Sequence, residues 1–244
     1  MQSRGVLVAT DANQEWMLPW WWKHYSSHNG LPVLFVDLGM SEEAKQWCKS
    51  KGAVCSLPDT PSRVKSKEEM PPTIVQQWES AYGKSFWKSR PSWFKKPLAL
   101  QQTLFDTTLW LDLDCEVRSD LTPLFSTLTT EIALLPEPHY AHAHMRAFAI
   151  CQDEETIYNS GVILYRRGSP LIAAWAEACT LDSASHWSDQ HLLSRMLHEQ
   201  KISVDILSPL YNWHRGVGDN LDAHIVHWLG DAGKEYILMN MLST

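Results

Sequence analysis

Apolar residues come in short runs along this chain, and the runs alternate with stretches of helical spacing. Residues 5–10 make an apolar run of strand length that stops at the polar turn Asp11-Ala12-Asn13. Residues 14–28 follow with a helical pattern carrying Trp16, Leu18, Trp20, Trp21, Trp22 and Tyr25, and Gly30 and Pro32 mark its end. Residues 32–37 are a second strand. Ser41-Glu42-Glu43 opens a second helix with an N-cap serine and an acidic first turn, running to Lys51-Gly52. A short strand at 53–56 comes next. Strands and helices alternating at this spacing predict βαβ units and a largely parallel sheet.

Residues 57–91 break the rhythm. Pro58, Pro61, Pro71, Pro72 and Pro91 fall there among mixed charges, so the segment reads as a loop-rich excursion with a helix near 74–82. Order resumes with a helix over 93–105 and strands over 108–112, 131–135 and 159–165. A helix opens at Ser169-Pro170, with serine as cap and proline in the first turn. Another helix covers 188–200, and late strands fall at 202–206 and 223–227. There is no internal repeat and no low-complexity tract.

Composition narrows the class. The 244 residues suit one large α/β domain with ample core, and 44% hydrophobic against 20% charged residues is ordinary for a globular chain. A net charge of −7 argues against broad nucleic-acid binding, which needs a basic face. Cys48, Cys55, Cys115, Cys151 and Cys179 are odd in number and lack a C-x-x-C pair, so a reducing, cytoplasmic setting is expected rather than a disulfide framework. The first apolar run is too short for a signal sequence or a membrane span. Thirteen tryptophans suit aromatic contact with sugar rings, or simply a large core.

The strand over 108–112 runs directly into Asp112-Leu113-Asp114. In open α/β sheets, ligands bind beyond the carboxyl ends of the strands. Two carboxylates one residue apart at that edge can both reach a hard divalent cation, Mn²⁺ or Mg²⁺, which also binds diphosphate. A pair of solvated turn carboxylates is the alternative.

The segment from Leu109-Trp110-Leu111-Asp112-Leu113-Asp114 through Pro123-Leu124-Phe125 resembles the D-x-D region of glycosyltransferase family 8, the family of glycogenin and bacterial lipopolysaccharide galactosyltransferases. Further segments match in the same order. The turn Ala9-Thr10-Asp11-Ala12-Asn13 resembles the one that reads the nucleoside. Lys96, 16 positions before Asp112 (112 − 96), resembles a basic donor contact. Asn159-Ser160-Gly161 resembles the N-S-G motif. Asp189-Gln190, 30 positions after Asn159 (189 − 159), resembles the D-Q pair on the sugar side. His227-Trp228-Leu229-Gly230 resembles the H-x-x-G motif.

The resemblance implies a single GT-A domain over 1–244, an α/β fold with a Rossmann-like, mostly parallel central sheet flanked by helices. It implies a nucleotide-diphospho-sugar donor, UDP-linked, and transfer to an acceptor with retention. Asp112, Asp114 and His227 would hold Mn²⁺ or Mg²⁺. Ala9, Thr10, Asp11, Asn13, Lys96, Leu113, Ser160, Gly161, Gly230 and Lys234 would contact the donor, and Asn159, Asp189 and Gln190 would grip the sugar at the reacting face. One departure stands out. The family's lysine falls six positions after the histidine, whereas here position 233 is Gly and Lys234 is one later.

Other readings remain open at this level. A nucleotidyltransferase would share the core and the metal but should carry a glycine-rich loop after the first strand, and 11–14 has no glycine. A non-catalytic nucleotide-sugar binder would keep every feature above. His139, His142 and His144, expected in a polar loop, have the residue type for zinc but no cysteine or carboxylate at familiar spacing. Trp20-Trp21-Trp22 with Lys23 and His24 could touch a membrane face or pack in the core. Neither the sugar nor the acceptor (glycan, lipid-linked sugar, protein or metabolite) is legible.

Overall fold

A computed structural model describes residues 3–58 and 64–243. In chain order the elements begin with strand β1 (Arg4–Thr10), helix α1 (Leu18–Ser26), β2 (Val33–Asp37), α2 (Glu42–Lys49) and β3 (Ala53–Ser56). The excursion follows as α3 (Pro72–Tyr82) and α4 (Phe86–Trp93), then α5 (Lys96–Leu100). Next come β4 (Thr107–Leu111), β5 (Cys115–Val117), β6 (Ile132–Pro136), α6 (His139–Ala147) and β7 (Tyr158–Arg166). The chain closes with α7 (Pro170–Leu181), α8 (Asp189–Gln200), β8 (Asp205–Ile206), β9 (Trp213–His214), β10 (Ile225–His227) and α9 (Gly230–Leu242).

The main sheet has the order β3-β2-β1-β4-β7-β6-β8, and a small sheet has the order β5-β10-β9. In the main sheet only β7 runs against its neighbours, β4 and β6. The strands read as unbroken apolar runs because both faces are covered. Alternate residues feed two cores: Val6, Val8, Leu109, Leu111, Val162 and Leu164 enter one, while Leu7, Trp110, Ile163 and Tyr165 enter the other. Helix α1 and the small sheet close the first face. Helices α5, α7 and α8 close the second, with Leu100, Trp175 and Leu193 fully buried.

Most elements fall where the hydrophobic pattern put them, and three readings need correction. The 57–91 segment is largely helical in its described part. Pro71 caps α3 and Pro72 opens it, so these prolines start a helix rather than break one; residues 59–63 lie outside the described residues. The single helix expected over 93–105 is instead the end of α4 and the short α5, with Pro97 in the latter's first turn. His139, His142 and His144 sit on α6, not in a loop.

Trp20 and Trp21 are 3% and 0% exposed, and Trp21 stacks on Tyr25 at 4.9 Å between ring centroids. Core packing, not a membrane face, accounts for this cluster. Among the described residues no helix is long and apolar enough to cross a membrane.

Candidate functional site

The topology brings the acidic groups to one edge. Strands β4 and β6 both run against β7, so their carboxyl ends share an edge with the start of β7. That edge carries Asp112 and Asp114 after β4, Glu137 after β6, and Asn159 and Ser160 at the beginning of β7. The first turn of α8 adds Asp189 and Gln190, α5 adds Lys96, and β10 adds His227.

Lys96 is the electrostatic centre. Its side chain is only 7% exposed, yet it stays charged because acids surround it. The ammonium lies 3.1 Å from both oxygens of Asp112 and 3.8 Å from Asp189 Oδ2. It also donates to the carbonyl and hydroxyl oxygens of Ser160, each at 3.0 Å. Burial alone would depress its pKa, but Asp112 and Asp189 raise it above the ordinary lysine value. Asp112 Oδ1 further accepts the Trp110 indole N–H at 2.7 Å. Asp189, pushed above the usual carboxylate range by burial and held down in part by Lys96, accepts from Ser160 Oγ at 3.0 Å.

A chain of amides orients His227. Asn159 Oδ1 accepts the Gly161 backbone N–H at 2.9 Å, which fixes the sense of that amide. Asn159 Nδ2 then donates to Glu137 Oε1, and Asn212 Nδ2 donates to Asn159 Oδ1, each at 2.9 Å. The Asn212 oxygen is left facing His227 Nδ1 at 3.0 Å, so Nδ1 carries the proton. Nε2 of the neutral ring is therefore a bare lone pair, and it points at Asp114 Oδ1 from 3.2 Å. Two acceptors at that distance need a cation between them.

In the isolated chain a proton serves. Burial disfavours a charged His227, but Asp114 and Asp112 outweigh burial and raise its pKa. Burial likewise opposes the charge on Asp114, and His227 and Lys234 leave its pKa below the ordinary value. A divalent cation can take that proton's place with more positive charge, so Asp114 and His227 fit a metal. Asp112 lies beside them but is held by Lys96. The compact donor set is Asp114, Cys115 and His227, whose ligand atoms all lie within 4.8 Å of one another.

Two adjoining cavities meet here. One, about 90 Å³, is lined by Ala9, Thr10, Asp11, Ser92, Trp93 and Trp110. The other, about 380 Å³, reaches from Lys96 past Asn159, Asp189 and Gln190 to Tyr82, Tyr140 and Trp187. Asp112, Asp114, Lys96 and Lys234 line both. Leu113 lines the first; Ser160, Gly161, His227 and Gly230 line the second.

Thus the fold gathers nearly all the residues singled out in the sequence. Lys234 reaches the site despite its offset, because α9 starts at Gly230 and one helical turn carries the lysine back toward Asp114. Gly230 turns the chain into that helix with φ +72°, which a side chain would resist. Asn13 is the exception. It is exposed, lines neither cavity, and caps Asp11 through its backbone N–H at 2.9 Å. Asp11 itself is occupied by that turn and by Ser92 Oγ.

Two of the three histidines of α6 are taken up by backbone hydrogen bonds. His142 Nε2 accepts the Ile157 N–H at 2.9 Å, His144 donates to the Ala81 carbonyl at 2.8 Å, and His139 is exposed. Among the described residues no metal-binding group includes them.

Sequence reasoning missed Glu137, whose Oε1 accepts from both Asn159 and Gln190 at 2.9 Å. Its signal was available: it follows an apolar strand parallel to β4, so it had to emerge at the same edge. Asn212 and His214 had no such signal, since β9 is only two residues long. Ser89 lies in the excursion, and Ser92 and Trp187 fall between the expected elements, with no pattern pointing inward.

No family model and no curated protein matches the sequence. Solved structures do match. The galactosyltransferase LgtC, crystallised with donor and acceptor sugar analogues, aligns over 98% of this chain and 95% of its own with a TM-score of 0.63 at 15% identity. Mouse xyloside xylosyltransferase 1 covers 92% of this chain and 97% of its own, with a TM-score of 0.54 at 18% identity. The glycosyltransferase GlyE of Streptococcus pneumoniae covers 99% of this chain and 63% of its own, with a TM-score of 0.61 at 16% identity. The α/β architecture, with its mostly parallel sheet and a polar site at the carboxyl edge, is accordingly the GT-A fold of the glycosyltransferases.

Proposed function

We propose that this chain is a metal-dependent glycosyltransferase that takes a UDP-sugar as donor and retains anomeric configuration. The observation that carries the reading is the convergence of Lys96, Asp112, Asp114, Lys234 and His227 where the two cavities meet. Cations and carboxylates alternate there, and both cavities open onto them. A diphosphate needs that mixture: a metal seat, plus fixed cations for the remaining phosphate charge.

The nucleoside occupies the smaller cavity, against Ala9, Thr10, Asp11 and Trp93. Asp114 and His227, with Asp112 beside them, would hold Mn²⁺ or Mg²⁺, which neutralises charge growing on the departing diphosphate. Lys234 on α9 faces the same phosphate. Lys96 holds Asp112 and Asp189 in place and keeps two nearby carboxylates from repelling each other. The sugar lies over Asn159, Ser160 and Gly161. Asp189 and Gln190 face it, and Glu137 braces both amides. The acceptor enters from the open end, where Tyr82, Tyr140 and Trp187 offer aromatic faces to sugar C–H groups.

A UDP-release assay across UDP-sugars, with and without Mn²⁺, tests the reading. Release with one donor, dependent on metal and abolished in Asp114→Asn, is expected. Metal-dependent UDP binding with no release from any donor, alone or with acceptors, would favour a non-catalytic nucleotide-sugar binder.

A further inference from the structure

Cys115 does not belong to a hard-cation site, yet its sulfur lies within 4.8 Å of the ligand atoms of Asp114 and His227. It is fully buried and pairs directly with His227 across the antiparallel β5–β10 ladder. Directly opposed residues on such a ladder project to the same face of the sheet. The thiol is held on the site's side by a hydrogen bond to the Gly161 carbonyl at 3.7 Å. Asp114 precedes it in sequence, and the amide chain from Asn159 through Asn212 aims the His227 Nε2 lone pair at the same spot. Gly161 completes the enclosure, since its Cα lies against the His227 ring.

We propose that Asp114, Cys115 and His227 form a second metal-binding mode selective for thiophilic divalent cations, Zn²⁺ and Cd²⁺. The donor chemistry is that of zinc: one sulfur, one imidazole nitrogen and one carboxylate oxygen, with a fourth position open toward the cavity. On binding, the Cys115 sulfur and the His227 Nε2 each donate a lone pair to the cation, and the thiol proton and the proton between His227 and Asp114 both pass to solvent. The charges then cancel, because a dication meets one thiolate, one carboxylate and a neutral imidazole. That cancellation matters in a buried seat, where uncompensated charge is costly. Asp112 stays paired with Lys96 throughout. A hard cation at the same edge takes oxygen ligands instead and leaves the thiol protonated. Zinc bound this way removes Asp114 and His227 from the hard-cation site and so competes with it. The proposal rests on reading Asp114 and His227 as metal ligands, and the test separates the two claims.

The full chain is titrated with CdCl₂ while the ultraviolet sulfur-to-cadmium charge-transfer absorption is followed, and Mn²⁺ binding is measured by calorimetry on the same protein. Wild type should develop the thiolate band. Cys115→Ser should lose the Cys115 part of it, and its preference for Cd²⁺ over Mn²⁺ should fall by at least about tenfold, the low end of what losing even an outer-sphere partner costs. If the serine variant is misfolded by circular dichroism, His227→Gln serves instead: with Cys115 intact, the band should still be lost. A band unchanged in these variants, or Mn²⁺ binding without any band in wild type, would overturn the thiophilic mode alone. Failure of every divalent cation to bind would overturn it together with the metal-dependent reading of the site.

Discussion

A β-carbon built on Gly161 would lie 2.0 Å from His227 Cε1, and the ring cannot retreat without leaving Asn212 or Asp114. Gly161→Ala is therefore expected to cost about 1–3 kcal/mol as an overpacked site. It should weaken Mn²⁺ binding much more than it perturbs the circular dichroism; metal affinity equal to wild type would contradict the orienting role of this contact. Lys96→Met leaves Asp112 and the buried Asp189 facing each other without a counter-charge. Removing one partner of a buried ion pair is worth about 3–5 kcal/mol. A drop in thermal stability together with weaker UDP binding is expected, and a variant unfolding at the wild-type temperature would refute it. Single residues were also where the sequence was hardest to read. Lys96 stands beside Lys95 on a short helix and looks like a solvated cation, because nothing local announces the three acids that surround it. His227 and Asp114 lie 113 positions apart, and only the H-x-x-G resemblance, not spacing, could pair them.

Helices α3 and α4 hold the rim of the larger cavity through Arg90. This guanidinium is 1% exposed and has no carboxylate partner among the described residues. It donates instead to the carbonyls of Lys65, Ser183, His186 and Trp187, and it lies over the rings of Trp78, Trp87 and Phe94. Burial lowers its pKa to about 10, so it remains charged at neutral pH. Arg90 thus ties the excursion to the 182–188 segment that presents Trp187 and leads into Asp189. Arg90→Met should leave several buried carbonyls without donors at roughly 1–3 kcal/mol each. Arg90→Lys should rescue little, since an ammonium cannot reproduce the planar fork. Thermal melts of both variants check this; near-wild-type stability of either one would contradict the latch. The strands were legible because burial on both faces demands unbroken apolar runs. The excursion was not, because its prolines read as breakers while the structure uses Pro71 and Pro72 to begin a helix.

Across the whole molecule, buried imidazoles are expected to weaken the fold in acid. Burial lowers His191 to about 3 from a reference of 6.5, with its ring held by Ser188 Oγ and Met145 Sδ. The unfolded chain binds a proton at this residue near pH 6.5 and the folded chain does not. Stability should therefore fall as pH drops from 6.5 toward 3, by up to about 1.4 kcal/mol per pH unit from this residue. His191→Gln should flatten that part of the urea-unfolding profile; an identical pH slope would show that His191 is not the source. At this scale the fold was readable from strand and helix alternation, and the site edge followed from the rule that ligands bind at carboxyl ends. The depth of the site was not readable, since it is assembled by β9, β10 and the α8 amino end, which meet only after the chain has closed its second sheet. The most direct test of the account is calorimetric titration of UDP into the full chain with and without Mn²⁺, in wild type and in Asp114→Asn. UDP binding should require Mn²⁺ and be lost in the variant. No UDP binding under any condition, or binding that ignores both the metal and Asp114, would contradict it.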